Sequence, residues 1–473
     1  MKYVEAIQFL YGLRWFGAKL GLENTFKLAE LAGNPQSRLR FIHVAGTNGK
    51  GSTCAMLESI YHAAGLRVGL FTSPHLVSFR ERIQVSRRFI SEADVVRLIQ
   101  EIQPWLKEFP ADRHPTFFEV VTVMALQFFA EQKCDLVIWE TGLGGRLDST
   151  NIVTPLASVI TNIQYDHQRW LGETLDRIAT EKGGIIKPGV PVITGTEEPE
   201  ALAVIQETAL KQHSPLRLVT PAHTQHPPLD GLRLPLLGWH QRMNAAVALA
   251  TVRVLAGQGG TASPPSVGPA LADERPPSPQ FGAASRTAPE SSPYLLSAPS
   301  DATIRQGLLS VQWPGRLQLV TQPSGQQVLL DGAHNSGGAT SLRAALEEHF
   351  PDTKPTLILG IMQDKDWDLM CELLAPLAGR ILCSRVNTER SAEPDQLRQA
   401  CLRTNSEAKV TTCPSLAEAI HLAANDSFVV IAGSLYLVGE AMELLHVTAG
   451  PPTDERSLNE WTQQPVQPQT LKS

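Results

Sequence analysis

The stretch VAGTNGKGS at residues 44–52 joins an apolar run, Phe41–Val44, to a helix-like segment, Thr53–Ala64. An apolar strand, a glycine-rich turn with one lysine and a following helix form an arrangement that binds phosphate, because the backbone N–H groups of the turn and the positive end of the helix face the anion. Lys50 adds a full positive charge, and Ser52 offers a hydroxyl to a magnesium ion. The stretch therefore predicts a phosphate site at the start of a helix.

The spacing within this turn departs from the general phosphate-binding loop. Gly46 stands closer to the lysine than usual, and Gly51 is inserted between Lys50 and Ser52. Together with Gly49, these glycines allow the backbone to approach phosphate oxygens without a Cβ in the way. The other interpretation is an ordinary surface turn, but the strand before it and the helix after it favour a phosphate site. The spacing resembles that of ATP-dependent amide ligases of the Mur type and differs from that of GTPases and motor ATPases.

The composition and charge of the chain limit the classes of protein to which it can belong. A length of 473 residues predicts two or three domains, and a net charge of −6 gives no reason to expect a nucleic-acid or membrane partner. We find no signal peptide at Met1–Leu10 and no apolar run near the ~18 residues of a membrane span. The six cysteines are scattered, with no CxxC pair, which favours reduced thiols over a disulfide or zinc framework. We expect a soluble, cytoplasmic protein.

Short apolar runs alternate with helix-length segments from residue 39 to about residue 256. Such alternation predicts a parallel sheet with helices on both faces. The candidate strands are Phe41–Val44, Val68–Phe71, Asp135–Trp139, Ala157–Thr161 and Pro191–Thr194. We place this P-loop domain at residues 1–300. It includes a Pro/Ser-rich insertion, 257–300, which we expect to be disordered because it holds few apolar side chains.

A second alternating series follows, with strand candidates at Val328–Leu330, Thr356–Leu359, Arg380–Ser384 and Phe428–Ala432. It predicts a smaller Rossmann-like domain at residues 301–447. Residues 448–473 are polar and rich in proline and glutamine, so we expect a disordered tail there. The predicted fold class is therefore α/β, with a P-loop parallel-sheet ATPase domain followed by a smaller Rossmann-like C-terminal domain.

Polar side chains follow three of the predicted strands in the first domain. Ser73 follows the second strand, Glu140 follows the third, and His167 comes soon after the fourth. Because the carboxyl ends of parallel strands meet at one edge of a sheet, we expect these side chains near Lys50. Taken singly, Glu140 could cap a helix and His167 could be an ordinary surface histidine, but their convergence on one edge favours a site. Magnesium prefers oxygen ligands, which Ser52, Ser73 and Glu140 supply, whereas histidine is a softer ligand.

The chain resembles the folylpolyglutamate synthase/dihydrofolate synthase family of the Mur ligase superfamily. The resemblance spans about residues 1–445, and the motifs follow the order of the family. The matching stretches are GTNGKGS (46–52), TSPHL (72–76), FFE (117–119), ETGLGGRLDSTN (140–151), DH (166–167), EKGGIIK (181–187), HQRMNAA (240–246), WPGR (313–316), LDGAHN (330–335), DKD (364–366) and GSLYLV (433–438).

The resemblance implies an ATP site and a magnesium site. The implied nucleotide contacts are Gly46, Thr47, Asn48, Gly49, Lys50, Gly51, Ser52, Asn244, Arg316 and Asp331. The implied metal ligands, for two magnesium sites with a monovalent cation left open, are Ser52, Ser73, Glu140, His167 and Lys182, and the implied catalytic residues are Lys50, Glu140, His167 and Lys182. Lys182 matches a lysine that is carbamylated in the family, and a carbamate would supply anionic oxygens where an ammonium would repel a metal. Otherwise Lys182 is a solvated helix lysine.

The resemblance also implies where the substrates bind. The pterin substrate is expected along Gly12, Leu13, Arg14, Trp15, Thr116, Phe117, Phe118, Glu119, Leu147, Asp148 and Ser149. L-Glutamate is expected on the second domain, near His334 and Ser434. Family enzymes limited to polyglutamylation often lack the RLD element, so its presence at residues 146–148 favours acceptance of dihydropteroate.

The implied activity is ATP-dependent ligation of L-glutamate to dihydropteroate and to tetrahydrofolate or folylpolyglutamates through an acyl phosphate. Two alternatives stay open, namely folylpolyglutamate synthase activity alone and another Mur-type ligase. A muramyl-peptide ligase of the cell wall places a domain of about a hundred residues before its P-loop, whereas 45 residues precede Gly46 here. A non-catalytic nucleotide switch would need the P-loop but not Ser73, Glu140, His167 and Lys182 together. By family likeness we expect a monomer.

Overall fold

The structure is a computed structural model that describes residues 1–13, 21–258, 296–447 and 454–459. Within these ranges the chain forms one sheet of eight strands and one of six, both with helices packed against them. We call the first sheet and its helices the first lobe, and the second sheet and its helices the second lobe. This architecture confirms the predicted α/β class.

The first sheet has the strand order β4-β3-β2-β5-β1-β6-β7-β8. Its strands are β1 (Phe41–Ala45), β2 (Val68–Phe71), β3 (Ile83–Val85), β4 (Arg88–Phe89), β5 (Leu136–Glu140), β6 (Ala157–Ile160), β7 (Val192–Thr194) and β8 (Leu216–Leu218). In this spatial order, all neighbouring strands from β2 through to β8 are parallel. At the other edge, β3 runs antiparallel to both β2 and β4. Every residue of β1, β2 and β5 is buried, as expected for parallel strands covered on both faces.

Helices cover both faces of this sheet. They are α1 (Tyr3–Leu13), α2 (Glu23–Leu31), α3 (Lys50–Ala63), α4 (Glu92–Leu106), α5 (Phe117–Glu131), α6 (Gln168–Leu171), α7 (Leu175–Gly183), α8 (Pro199–Lys211), α9 (Trp239–Leu255) and α10 (Asp301–Leu309). Helices α1, α2, α4 and α5 bury one face around Phe71 and Trp139. Helices α3, α9 and α10 bury the opposite face around Ile42 and Val44. Alternate residues of β1 therefore enter different cores, as the pleat of a strand requires.

The second sheet has the order β13-β12-β11-β14-β10-β9 and is parallel except for β9. Its strands are β9 (Gln318–Thr321), β10 (Gln327–Asp331), β11 (Thr356–Leu359), β12 (Arg380–Ser384), β13 (Lys409–Cys413) and β14 (Phe428–Ala432). Its helices are α11 (Ser336–His349), α12 (Trp367–Leu374), α13 (Pro394–Thr404), α14 (Leu416–Leu422) and α15 (Leu435–Leu444). Two cores lie against this sheet, one centred on Leu329 and Leu359 and the other on Leu330 and Ile358.

The structure differs from the predicted organisation at helix α10 and at residues 454–459. Helix α10 falls inside the range predicted for the second domain, yet its Ile304 and Leu308 pack in the core of the first lobe, where the Ser59 hydroxyl contacts the carbonyl of Gly307. Most of the segment 257–300, predicted to be disordered, lies outside the described residues. Residues 454–459, inside the predicted tail, form a 3-10 helix whose Glu455 is buried, because the carboxylate accepts hydrogen bonds from the first lobe.

Two further features bear on the class of the protein. All six cysteines are buried and unpaired, in agreement with the prediction of reduced thiols. Across the described residues, none of the helices combines the length and the apolar character that a membrane crossing demands.

Candidate active site

The turn at residues 46–49 connects β1 to α3 at the carboxyl edge of the first sheet. Gly49 has φ +82° and Gly46 has φ +148°, a backbone region that favours glycine. The first main-chain hydrogen bond of α3 runs from the Thr53 N–H to the Gly49 carbonyl, at 2.9 Å. The N–H groups of the preceding helical turn therefore have no intrahelical acceptor and lie where an anion would bind.

A segment after β6 holds this turn from the side. The N–H groups of Thr47 and Asn48 donate to the main-chain and side-chain oxygens of Asn162, at 2.9 and 2.8 Å. The Thr47 hydroxyl lies 3.1 Å from the Gln164 carbonyl. A Cβ on Gly46 would collide with the hydroxyl of Thr161, so this glycine is required by the packing of the protein as well as by phosphate. Asn162 follows a predicted strand whose end was expected at this edge, whereas Gln164 is a site residue that the motif search missed; the position of β6 beside β1 accounts for both.

Two lysines converge on one carbonyl oxygen of the turn. Lys50 Nζ donates to the carbonyls of Gly46 and Thr47, at 3.1 Å each. Lys182, on α7, is buried and donates to the same Gly46 carbonyl at 2.7 Å. Burial lowers the pKa of Lys182 to about 7, and repulsion from Lys50 adds to the effect. Lys182 is therefore not the solvated helix lysine of the alternative interpretation.

Glu140 ends β5, next to β1, and its side chain is buried at the same edge of the sheet. The Ser73 N–H, which follows β2, donates to Glu140 Oε2 at 3.0 Å. Burial raises the pKa of Glu140 to about 7, although Lys50 and the Ser73 N–H favour its ionised form. Within the described parts of the chain, the buried hydroxyl of the neighbouring Thr141 has no hydrogen-bond partner. A desolvated carboxylate at this edge is chemically suited to a hard cation.

The donor set at this edge fits magnesium in type. Ser52 is buried in the first turn of α3, and Ser73 and Glu140 follow the neighbouring strands β2 and β5. The described residues contain no cluster of three or more His, Cys, Asp or Glu side chains that could hold a metal. Magnesium retains several waters and phosphate oxygens, so it needs only a few protein oxygens. His167 is the most exposed of the predicted ligands, with its side chain 40% exposed and its Nε2 3.9 Å from Asp166 Oδ1.

Asp166 joins the first lobe to the second. Its carboxylate pairs with Lys365 at 2.5 Å and accepts from Asn335 Nδ2 at 2.8 Å, and His334 Nε2 lies 3.6 Å away. Asn335 also exchanges side-chain hydrogen bonds with Asn48 of the turn, at 3.1 Å. Burial acts to raise the pKa of Asp166, but His167, Lys365 and His334 together hold it well below its usual range. Lys365, in the DKD motif, and Asn335 were missed as site residues.

The predicted nucleotide contacts outside the turn lie close to it or at the junction of the lobes. A Cβ on Gly49 would collide with the side chain of Asn244, and one on Gly51 would lie 2.6 Å from the ring of Trp313. Arg316 lies against Gly332, where its guanidinium would collide with a Cβ. Asp331 ends β10, and its carboxylate accepts from the N–H groups of Leu317 and Ala333 at 2.8 and 3.0 Å. Asp331 therefore fixes the chain at the junction.

The predicted pterin contacts at the start of α5 form a helix cap. Thr116 and Glu119 make a capping box in which the Thr116 N–H donates to Glu119 Oε2 at 2.7 Å and the Glu119 N–H donates to Thr116 Oγ1 at 3.4 Å. Both residues are buried, so they already have a structural role. Gly12 and Leu13 end α1. Arg14 and Trp15 lie outside the described residues.

The aromatic pair and the RLD element lie nearer the carboxyl edge. Phe118 fills the space where a Cβ on Gly142 would lie, and the Phe117 ring packs 5.3 Å from the Arg82 guanidinium. The buried carboxylate of Asp148 accepts from the Leu143 and Thr150 N–H groups, at 2.7 and 3.0 Å, and from the Thr150 hydroxyl at 2.5 Å. Asp148 therefore stabilises the conformation of the loop that runs from Leu143 to Thr150. Of its neighbours, Leu147 is half-buried and Ser149 is buried.

The two residues predicted to bind glutamate follow adjacent strands of the second sheet. His334 follows β10 and donates through Nδ1 to the Gly332 carbonyl at 2.8 Å. Ser434 follows β14 and caps α15, with its hydroxyl accepting from the Tyr436 N–H at 3.1 Å. Their place at the carboxyl edge is the usual ligand position of a parallel sheet.

Comparison with known proteins agrees with this geometry. The model of the Mur ligase middle domain matches residues 44–252, and the model of the Mur ligase glutamate ligase domain matches residues 315–435. The P-loop lobe and the smaller second lobe thus define a Mur-type ligase, a class of enzymes that form amide bonds.

The chain is 32% identical over 463 residues to the dihydrofolate synthase/folylpolyglutamate synthase of Bacillus subtilis, covering 94% of this chain and 99% of that protein. The crystal structure of Thermotoga maritima folylpolyglutamate synthase superposes with a TM-score of 0.74 at 31% identity, covering 96% of this chain and 99% of that one. Escherichia coli FolC in complex with DHPP and ADP gives a TM-score of 0.76 at 30% identity, covering 94% and 98%. The chain belongs to the folylpolyglutamate synthase/dihydrofolate synthase family.

Proposed function

We propose that this protein uses ATP to join L-glutamate to dihydropteroate and to reduced folates. The observation that carries the proposal is the P-loop edge, where Lys50, Lys182 and the buried Glu140 meet and the second lobe reaches the loop through Asn335. The Bacillus subtilis relative carries both activities in its name, and the Escherichia coli relative binds DHPP and ADP. The shared edge supports a reaction in which both lobes contribute to one site.

The proposed reaction has two steps. A free carboxylate is a poor electrophile, so the pterin carboxylate first attacks the γ-phosphorus of ATP, which gives an acyl phosphate and releases ADP. The α-amine of L-glutamate then attacks the acyl carbon and loses a proton, and inorganic phosphate leaves with the electrons of the C–O bond. Lys50 neutralises charge that spreads over the transferring phosphoryl oxygens. A magnesium ion, when bound, would add further positive charge there. Contact between the lobes would exclude water from the acyl phosphate.

Ser52, Ser73 and Glu140 are the residues that we propose as magnesium ligands, with His167 and a carbamylated Lys182 for a second ion. The low pKa of Lys182 supports this assignment, since a neutral amine is the form that reacts with carbon dioxide. In that step the amine nitrogen forms a bond to the carbon of CO₂ and loses one proton, which leaves a carbamate anion. We propose that L-glutamate binds beside His334 and Ser434 on the second lobe.

We further propose that the pterin lies along the loop at residues 142–149 and the start of α5. The RLD element at residues 146–148 favours dihydropteroate as one acceptor. The alternative is activity on folates alone, which the name of the Lacticaseibacillus casei relative, folylpolyglutamate synthase, supports at 31% identity over 469 residues.

Incorporation of labelled L-glutamate, measured with dihydropteroate and with tetrahydrofolate in separate reactions, tests the proposal. We expect ATP- and magnesium-dependent product in both reactions. Product with tetrahydrofolate alone would establish the alternative. ATP hydrolysis that neither pterin stimulates, with no labelled product, would contradict the ligase assignment.

A further inference from the structure

The 3-10 helix at residues 454–459, which we call the C-terminal clasp, docks on the loop at residues 73–82. We propose that Glu455 of the clasp is a positioning residue that holds this loop, and with it Ser73, against Glu140. The inference rests on the proposed function, because Ser73 and Glu140 matter as parts of a nucleotide–metal site. Neither residue range matched by the family models includes the clasp.

The Glu455 carboxylate is buried, with the residue 6% exposed, and three donors of the first lobe satisfy it. Its Oε2 accepts from the Phe79 N–H at 2.6 Å, from the Ser78 hydroxyl at 3.0 Å and from the Tyr3 hydroxyl at 3.1 Å. A carboxylate taken out of water is costly unless hydrogen bonds compensate for the lost hydration. The three donors provide this compensation, so the contact between Glu455 and the first lobe is a specific one.

The clasp also binds the start of the loop, near His75, through its main chain and through Asn459. His75 Nε2 donates to the Glu455 carbonyl at 2.8 Å, and His75 Nδ1 accepts from Arg82 Nε at 2.8 Å. Asn459 donates to the His75 carbonyl at 2.9 Å and its side-chain oxygen contacts the Arg82 guanidinium. His75 is thus fixed in one tautomer between the loop and the clasp, since one ring nitrogen donates and the other accepts.

Hydrogen bonds within the loop connect the residues that contact the clasp to the segment that carries Ser73. The Glu81 carboxylate accepts from the N–H groups of Leu76, Val77 and Ser78, at 2.7, 2.9 and 2.7 Å, so the residues between the clasp contacts form one unit. Ser73 is two residues before His75, and its N–H donates to Glu140 at 3.0 Å. Movement of the loop would therefore move the backbone contact of Glu140.

The clasp is itself fixed to the second lobe. Arg456 forms an ion pair with Glu443 of α15, and both side chains are largely buried. A Cβ on Gly439, also in α15, would collide with the carbonyl of Leu76 in the loop. The loop thus lies between the first lobe, α15 and the clasp. The same contacts therefore join the two lobes and hold the loop that carries Ser73.

Glu455→Ala in the full-length chain tests the inference, with Glu407→Ala as the control because it removes the same charge at an exposed position. Hydrogen–deuterium exchange of residues 73–82 and calorimetric ADP binding, with and without magnesium, are the two measurements. We expect Glu455→Ala to speed exchange in the loop. We expect ADP binding in the presence of magnesium to weaken about tenfold, and binding without magnesium to change by less than about twofold, as for a residue that orients a metal ligand.

Glu455→Gln keeps one side-chain acceptor for the Phe79 N–H, so we expect it to restore part of the magnesium-dependent affinity. A chain ending at Asn459 should match the full-length protein, whereas one ending at Val447 should match Glu455→Ala. Unchanged exchange in Glu455→Ala would overturn the inference, and so would faster exchange with unchanged ADP affinity, since the clasp would then be only a structural support. If the wild-type chain bound no ADP, the proposed function would fail, and the exchange comparison would still decide whether the clasp holds the loop.

Discussion

Lys50 and Lys182 donate to the same acceptor, the carbonyl oxygen of Gly46, at 3.1 and 2.7 Å. Two ammonium groups this close repel each other, and burial together with this repulsion lowers the pKa of Lys182 to about 7. At neutral pH a substantial share of Lys182 is therefore the neutral amine. This arrangement supports carbamylation of Lys182, which would replace the repulsion with attraction between the carbamate and Lys50.

We predict that Lys182→Ala lowers ligase activity at least about tenfold and that acetate or formate restores part of it, because a small carboxylate can occupy the position of the carbamate oxygens. The measurement is the ligation rate as acetate is titrated at constant ionic strength. Lys187→Ala is the matched control, since Lys187 Nζ contacts only the Asn151 carbonyl in the described structure, at 3.3 Å. Equal acetate effects on the two variants would contradict carbamylation.

Lys50→Ala should remove most of the ATP-dependent ligation while the chain still folds. The expected loss in kcat is about a hundredfold or more, as for other groups that stabilise developing charge in a transition state. Steady-state kinetics measure the loss, and thermal unfolding checks the fold. Lys211→Ala, on the exposed side of α8 where Lys211 pairs with Glu207, controls for loss of a surface charge. A Lys50→Ala enzyme with full ligase activity would end the proposed mechanism.

Asp166 and Lys365 form the ion pair that joins the lobes beside the P-loop, and their side chains are only 7% and 9% exposed. Asp166→Ala leaves Lys365 buried without its counter-ion, which we expect to cost about 3–5 kcal/mol in the free energy of unfolding. The double variant Asp166→Ala/Lys365→Met should recover much of this loss, because it removes the unpaired charge. Urea unfolding of the single and double variants measures the coupling, and additive losses would show that the pair does not interact.

The alternation of apolar runs made most of the fold predictable. The bounds of β2, β11, β12 and β14 agree with the predicted strands, because each is an apolar run buried on both faces. The short β8 and the edge strands β9 and β13 were missed, since they are largely half-exposed and carry polar residues. β9 is held by a hairpin with the following strand β10, and β13 is held by pairing with β12, so neither strand needs an apolar run that periodicity would reveal.

The site was predictable where one motif contains the chemistry. The P-loop glycines, Lys50 and Glu140 follow from local sequence and from the rule that strand ends share an edge. Asn335, Lys365 and Glu455 reach the site or its supporting loop from far along the chain, through contacts that only the folded structure brings together. Local sequence patterns therefore predict the part of the site that lies in the first lobe better than they predict the contacts between the lobes.

His43 gives the fold a dependence on pH that is separate from the proposed chemistry. It lies fully buried in β1, where Nε2 donates to the Thr150 hydroxyl at 2.9 Å, while Thr150 donates onward to Asp148. Burial lowers the pKa of His43 from 6.5 to about 3, and the charge of Lys187 adds to the effect. The unfolded chain therefore binds the proton more readily than the folded chain at pH values between these two pKa values.

The sign follows from that difference. Because the unfolded state binds more protons between pH 3 and 6.5, this contribution to stability is fully present above pH 6.5 and is lost as the pH falls towards 3. We expect the free energy of unfolding to fall by up to about 1.4 kcal/mol per pH unit from this residue. Urea unfolding of the wild type, His43→Leu and the exposed control His421→Gln, measured from pH 7 to pH 4, checks the prediction. His43→Leu should have the shallower slope. Parallel slopes for all three proteins would show that His43 does not remain neutral in the folded state.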